Sequence, residues 1–354
     1  MTWDSKDLRE DLDKLRSMYR KEKDISKKER LIEVIHSLML DICEYEIGEV
    51  SYIDGEIDNS TLLFNSTPKF TMYYPTIYKF INALNNTDYD YPFGDGYVFG
   101  SNEELTQDDM FMLIHDFYKS CGKKIYNYYS KMEKEQDKYL NLRNDMGSGE
   151  GITYSVPILN KRYIEIGING NYKDSLSTLT HEYGHGIATF MNPYRYISND
   201  FFIEIESLFF EYIGLDYYYR ETNDPFYRNY LEDMINNNYW KANNIVAMKR
   251  VSDKTFNNMK DDKTSEKLCN RYLHKEGFDV NDITIDLDTS MKYLFSYIVA
   301  VELFEIYKED KCLAFDLLER IVNRDSTLSE YASIYNTVEP VKHMVKHIDR
   351  IKRH

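Results

Sequence analysis

The sequence predicts a mainly α-helical protein with two lobes around a cleft and a small β edge ahead of one distinctive helix. Three observations carry that prediction. Apolar residues recur at three- and four-residue spacing along most of the 354-residue chain, the mark of half-buried helices. Only two stretches, Ile152–Pro157 and Tyr163–Ile168, read as strands. No internal repeat, low-complexity tract or flexible linker divides the chain, so one compact unit is expected.

The elements follow in order. Leu8, Leu12, Leu15 and Met18 mark a first amphipathic helix, closed by the charged turn Lys21-Glu22-Lys23-Asp24. Leu31, Ile35, Leu38 and Ile42 mark a second. Residues 55–100 contain Pro68, Pro75, Pro92 and several glycines, which predict a loop-rich connection with one helix near Tyr78–Leu84. Thr106-Gln107-Asp108-Asp109 has the form of a capping box, with Asp in the usual Glu place. The helix it opens runs through Phe117 and leads into a long polar helix over Lys123–Leu142. The two strands come next, and everything after His181 reads as helices joined by short polar loops.

Composition narrows the possible roles. A chain of 42.3 kDa is ample for a large core, and a mean hydropathy of −0.59 describes a soluble globular protein. Apolar runs fall well short of a membrane span, and the N-terminus lacks a signal-peptide layout. The net charge of −16 argues against nucleic acid and anionic lipid as partners. Cys43, Cys121, Cys269 and Cys312 have no C-x-x-C spacing, which suggests reduced thiols and a cytoplasmic setting. The 33 tyrosines are expected to be amphipathic packing residues.

The distinctive helix contains His181-Glu182-Tyr183-Gly184-His185. Histidines at i and i+4 lie one turn apart on one helix face, so both imidazoles can reach one metal ion. The glutamate between them points to a neighbouring sector, placed to hold a metal's water without coordinating. Asp174-Ser175 offers an N-cap; Leu176, Leu179, Tyr183, Ile187 and Phe190 form the buried face, and Asn192-Pro193 stops the helix. Gly184 and Gly186 each cost about 1 kcal/mol in a helix relative to Ala. Accepting that cost beside two ligands implies close approach of another backbone or of substrate.

A catalytic zinc takes three protein ligands and keeps one position open. A third histidine further along the same segment is ruled out, because Ala188 and Met191 occupy the places where glycine and histidine would be needed. Next comes a helical segment, residues 199–212, whose acids sit in an aromatic, apolar run. Buried carboxylates are costly unless paired or metal-bound. Glu204 and Glu211 are two turns apart and share a face, whereas Glu206 points elsewhere and reads as a solvated acid. Glu204 lies nineteen residues beyond His185, as when a second helix folds back antiparallel. The expected metal ligands are therefore His181, His185 and Glu204, with Glu211 holding an imidazole N–H.

The run from Asp174 through Thr178-Leu179 to His181-Glu182 and Gly184-His185 resembles the active-site helix of the thimet oligopeptidase and oligoendopeptidase F family of zinc metallopeptidases. There the pattern reads D-x-x-x-T-L-x-H-E-x-G-H. Glu204, Ser207 and Glu211 match the family's E-x-x-S-x-x-x-E, whose first member is its third ligand. Gly149–Tyr154 and Tyr163–Gly170 resemble its short strands that bind the peptide backbone, which implies Gly151, Ile152, Thr153 and Tyr154 as substrate-binding residues. The resemblance is dense over about residues 105–220 and thinner beyond. It implies a helical zincin-like metallopeptidase fold, with residues 1–100 as a shortened helical N-terminal lobe and 101–354 as the catalytic region.

Two departures stand out. Family members are longer, with a helical roof over a deep channel; only about a hundred residues precede the catalytic region here. The family also has a histidine and several tyrosines on a late segment facing the zinc. The matching segment, residues 290–297, supplies Tyr293 and Tyr297, but Phe295 stands where tyrosine is usual and no histidine lies between His274 and His343. The resemblance thus implies a Zn2+-dependent endopeptidase or oligopeptidase acting on peptides. Glu182 would be its general base, and Tyr293 or Tyr297 the donor to the tetrahedral oxyanion. A shorter roof would leave the cleft wider or be completed by a second chain as a homodimer. The alternatives are a degenerate member that binds peptide or metal without cleaving, and a zinc hydrolase of a non-peptide amide or ester.

Overall fold

Among the described residues, helical periodicity becomes helix almost everywhere the sequence predicts it. The computed structural model of this chain describes residues 5–47, 74–87, 104–156, 159–193, 203–256, 287–323 and 341–352, with 271, 275, 334 and 337–339 between them. Helices α1 (Ser5–Lys21) and α2 (Ile25–Ile47) pack on each other and share an apolar cluster of their own. Leu8, Leu12, Leu15, Leu31, Val34, Leu38 and Ile42 are buried together against Tyr154, Val156 and Tyr163 of the sheet and against Tyr139 just before it. Met18, expected inside, is exposed at the far end of α1. Helix α3 (Tyr74–Asn85) contains the predicted Tyr78–Leu84 helix; the rest of the predicted loop region lies outside the described residues.

Helix α4 (Gln107–Ser120) begins with the predicted capping box: Thr106 and Asp109 each satisfy the other's backbone N–H. Beyond it the structure corrects the sequence reading. The long polar helix over 123–142 is instead α5 (Lys123–Glu133), a single turn α6 (Gln136–Tyr139) and a strand, β1 (Leu140–Gly147). With β2 (Gly151–Val156) and β3 (Lys161–Asn169) it makes a three-stranded sheet in the order β1-β3-β2. β1 runs parallel to β3, and β2 runs antiparallel to it. β2 is therefore an edge strand. Alternation sends Tyr154 and Val156 to the α1–α2 side and Gly151 and Thr153 to the other.

On that other side lies α7 (Tyr172–Met191), which carries the two motif histidines. Its N-cap is Asn171, whose side chain accepts from the backbone of Lys173 and Asp174, three residues earlier than the expected Asp174. Asn192 ends it, as predicted. Leu176, Leu179, Tyr183 and Ile187 are buried, and Phe190 is partly so. Helix α8 (Ile205–Thr222) packs on α7, followed by α9 (Pro225–Phe256), α10 (Leu287–Glu309), α11 (Lys311–Val322) and α12 (Met344–Lys352). One continuous apolar core joins α3 to α5 and α7 to α12. Helix α8 is covered all round: every residue from Ile205 to Leu215 is buried. Among the described residues, no helix is long and apolar enough to cross a membrane.

Candidate metal centre

Helices α7 and α8 are antiparallel, since Ser177 meets Glu211 while Gly184 meets Ser207. This crossing sets Glu204 against the histidine face of α7. Glu204 is the N-cap of α8 rather than an interior residue, and residues 199–202 of the predicted helix lie outside the described ones. Its Oε2 lies 3.4 Å from His181 Nε2 and 3.3 Å from His185 Nε2. All three side chains are largely buried, and their ligand atoms lie within 4.8 Å of one another. Two ligands about 2.1 Å from one zinc at a tetrahedral angle are about 3.4 Å apart. The donor set and its spacing fit zinc.

The surroundings orient these groups. Ser177 Oγ donates to Glu211 Oε1 at 2.9 Å, and Glu211 Oε2 lies 3.0 Å from His181 Nδ1. A carboxylate on Nδ1 fixes the tautomer that leaves Nε2 free to bind metal. Ser207 Oγ donates to Glu204 Oε2 at 3.3 Å and to the Glu204 carbonyl at 3.1 Å. Burial alone would make His181 less basic, but Glu204 and Glu211 outweigh it and hold the imidazole well above its usual pKa. Burial would likewise raise Glu204, yet the two imidazoles hold it well below the usual carboxylate range. A divalent cation would take the place of those imidazole protons.

Glu182, 5% exposed, leans towards the sheet edge. Thr153 Oγ1 donates to its Oε2 at 2.6 Å, which ties the carboxylate of α7 to strand β2. Gly151 is needed beside it: a Cβ there would stand 2.6 Å from Thr178 Cγ2 and 2.9 Å from Glu182 Oε1. Of the other two residues expected on this strand, Tyr154 is turned away and buried against α1–α2, and Ile152 packs partly on the same side.

The late segment is α10. Burial, together with the charges of Glu204 and Glu182, pushes the Tyr293 hydroxyl well up, so this tyrosine stands beside the centre. Tyr297, one turn on, is a core residue. It is 1% exposed, its ring meets Phe80 edge-on, and its hydroxyl lies 3.3 Å from that of Tyr212. Sequence reasoning missed Lys292, whose Nζ is 3.1 Å from Glu204 Oε1. The only signal was a cation next to Tyr293 in the segment that lacks the family histidine. Glu206 is a correction: expected in solvent, it is fully buried in the first turn of α8, because α8 has no solvated face from Ile205 to Leu215.

No protein-family model matches this chain, and no curated protein sequence matches it significantly. Solved structures do. One is described as an oligoendopeptidase F from Bacillus anthracis str. Ames, with a TM-score of 0.52 and 14% identity over 93% of this chain and 63% of that one. Another is PZ peptidase A with an inhibitor, with a TM-score of 0.52 and 12% identity over 93% of this chain and 66% of that one. The fold is that of the oligoendopeptidases F. A second oligoendopeptidase F structure agrees, at a TM-score of 0.51 and 12% identity over 93% of this chain and 65% of its own. The chain spans about two thirds of the length of these proteins. At such identities the match establishes the fold alone.

Proposed function

We propose that this chain is a zinc-dependent endopeptidase or oligopeptidase that cleaves peptide bonds. The observation that carries the reading is the pair of 3.3 and 3.4 Å separations from the histidine Nε2 atoms to Glu204 Oε2, with Glu182 one residue away on the same helix. His181, His185 and Glu204 would hold the zinc. When bound, the metal would polarise the scissile carbonyl and lower the pKa of a coordinated water to about 7.

The protein's own groups do the rest. Glu182, aimed by Thr153, takes the proton of the attacking water and hands it to the leaving amine. The exposed backbone groups of edge strand β2 pair with an extended peptide on the side next to Glu182. Tyr293 donates a hydrogen bond from its hydroxyl, and Lys292 brings its charge, to the carbonyl oxygen as it becomes negative. Lys292 then performs the task for which the late segment has no histidine. Cytoplasmic residence and peptides as partners belong to the same proposal, with a homodimer as one of two outcomes of the shortened roof, the other being a wider cleft.

The test is metal analysis of purified protein together with digestion of a mixed peptide library, read by mass spectrometry. About one zinc per chain and cleavage at internal bonds are expected. Full zinc occupancy with an untouched library would exclude the peptidase and leave a non-cleaving peptide or metal binder or a zinc hydrolase of a non-peptide amide or ester.

A further inference from the structure

A pocket of about 230 Å³ lies on the side of α7 away from the metal centre. Tyr183, which lines it, is two residues from each motif histidine and so about 200° round the helix from them. The mouth of the pocket carries Lys131, Lys134 and Glu135, and its inner wall carries Arg162 and Phe190. Three cations thus face one carboxylate, in a chain of net charge −16.

Two buried groups there are incompletely satisfied. Arg162, on β3, is only 6% exposed. Its Nε donates to Thr189 Oγ1 and its Nη1 to Asn160 Oδ1, both at 2.8 Å, and its guanidinium stacks 3.5 Å from the Phe190 ring centre. No carboxylate among the described residues pairs with it, although a buried charge is normally paired. Burial pulls its pKa down to about 10, only partly offset by Glu135. Tyr183 is 1% exposed, and its hydroxyl finds no hydrogen-bond partner among the described residues. A second cation, Lys131, sits 4.9 Å from the same Phe190 ring. Two cations thus lie near one aromatic ring, in a pocket also lined by a tyrosine whose hydroxyl has no partner among the described residues.

We propose that this pocket binds a small molecule carrying a phosphate or carboxylate group, held by Arg162, Lys131 and Lys134 and hydrogen-bonded by the Tyr183 hydroxyl. Arg162 offers Nη hydrogens in the fork geometry that suits both oxyanions. The pocket is too small for a folded partner and shares no residue with the metal ligands. Its occupant would brace the back of the helix that presents His181 and His185.

The experiment is calorimetric titration of the full chain with inorganic phosphate and, separately, with succinate, at constant ionic strength. Saturable binding of at least one of them at one per chain is expected, and the tighter of the two identifies the headgroup. Arg162→Met should weaken that binding at least tenfold, and Tyr183→Phe, which removes one oxygen, severalfold. The exposed pair Lys131→Ala with Lys134→Ala tests the site without disturbing the core and should also weaken it. Glu182→Gln should leave it unchanged, which separates this site from the proposed peptidase chemistry. No saturable binding of either anion, or equal binding by wild type, Tyr183→Phe and the double lysine variant, would overturn the proposal.

Discussion

Gly184 and Ser207 are pressed together where α7 crosses α8: a Cβ on Gly184 would lie 2.8 Å from the Ser207 Cα. That is a backbone contact, so no side-chain rotation relieves it. The same crossing carries Glu204 up to His181 and His185. Gly184→Ala should therefore prise the helices apart, destabilising the protein by about 1–3 kcal/mol. It should also weaken zinc binding at least tenfold, to be read by thermal unfolding and by competition with a chelator. Unchanged zinc affinity would mean that the crossing does not set the ligand geometry.

Glu211 reaches no metal position itself, yet it holds His181 Nδ1 and is held by Ser177. Groups in that role typically contribute 10- to 100-fold to metal affinity. Glu211→Ala should lower zinc affinity by about that factor while the helical circular dichroism spectrum is preserved. Affinity within twofold of wild type would leave Glu211 a structural role only.

Lys292 and Tyr293 should separate from the metal ligands in kinetics. Removing one donor to a developing oxyanion commonly lowers kcat by about 10²–10³. Lys292→Met and Tyr293→Phe should each lower kcat in that range with zinc content unchanged, whereas Tyr297→Phe should act on stability instead. A Lys292→Met protein that loses its zinc but turns over normally when zinc is restored would assign the lysine to holding Glu204.

His347, which is not among the expected metal ligands, gives a pH dependence of its own. It is fully buried, and burial lowers its pKa below the usual imidazole range despite Glu305 at 3.1 Å, while Tyr212 meets its other nitrogen at 2.9 Å. A histidine depressed in the folded state contributes stability above its unfolded pKa, and that contribution is lost as pH falls. Stability should therefore decline from about pH 6.5 downwards. His347→Gln should flatten that part of the profile, as measured by denaturant unfolding at successive pH values. An equal decline in the variant would place the acid sensitivity elsewhere.

The centre was legible because its spacing is local: i and i+4 within α7, and a seven-residue interval from Glu204 to Glu211. The close approach implied by Gly184 was legible for the same reason, as helix glycines are costly without cause. What escaped depends on neighbours distant in sequence. Strand β1 reads as the tail of a polar helix, and it is a strand because β3 supplies a parallel partner twenty-four residues on, as at Asn141 and Glu165. Glu206 reads as a solvated acid because a helical wheel cannot show that α8 is enclosed from Ile205 to Leu215. Tyr293 and Tyr297 share a helix face, so only packing shows that the second joins Tyr212 in the core. Arg162 and its pocket left no trace in the pattern, since an isolated arginine in a strand carries no period.

In the proposed mechanism Glu182 moves the proton while His181, His185 and Glu204 hold the metal. The most direct measurement is peptide turnover by Glu182→Gln with its zinc content determined on the same sample. The amide preserves shape and can still accept a hydrogen bond from Thr153, but it cannot accept a proton. The expected result is full zinc occupancy with turnover reduced by about 10²–10⁴. Near wild-type cleavage by the zinc-loaded variant would contradict the account.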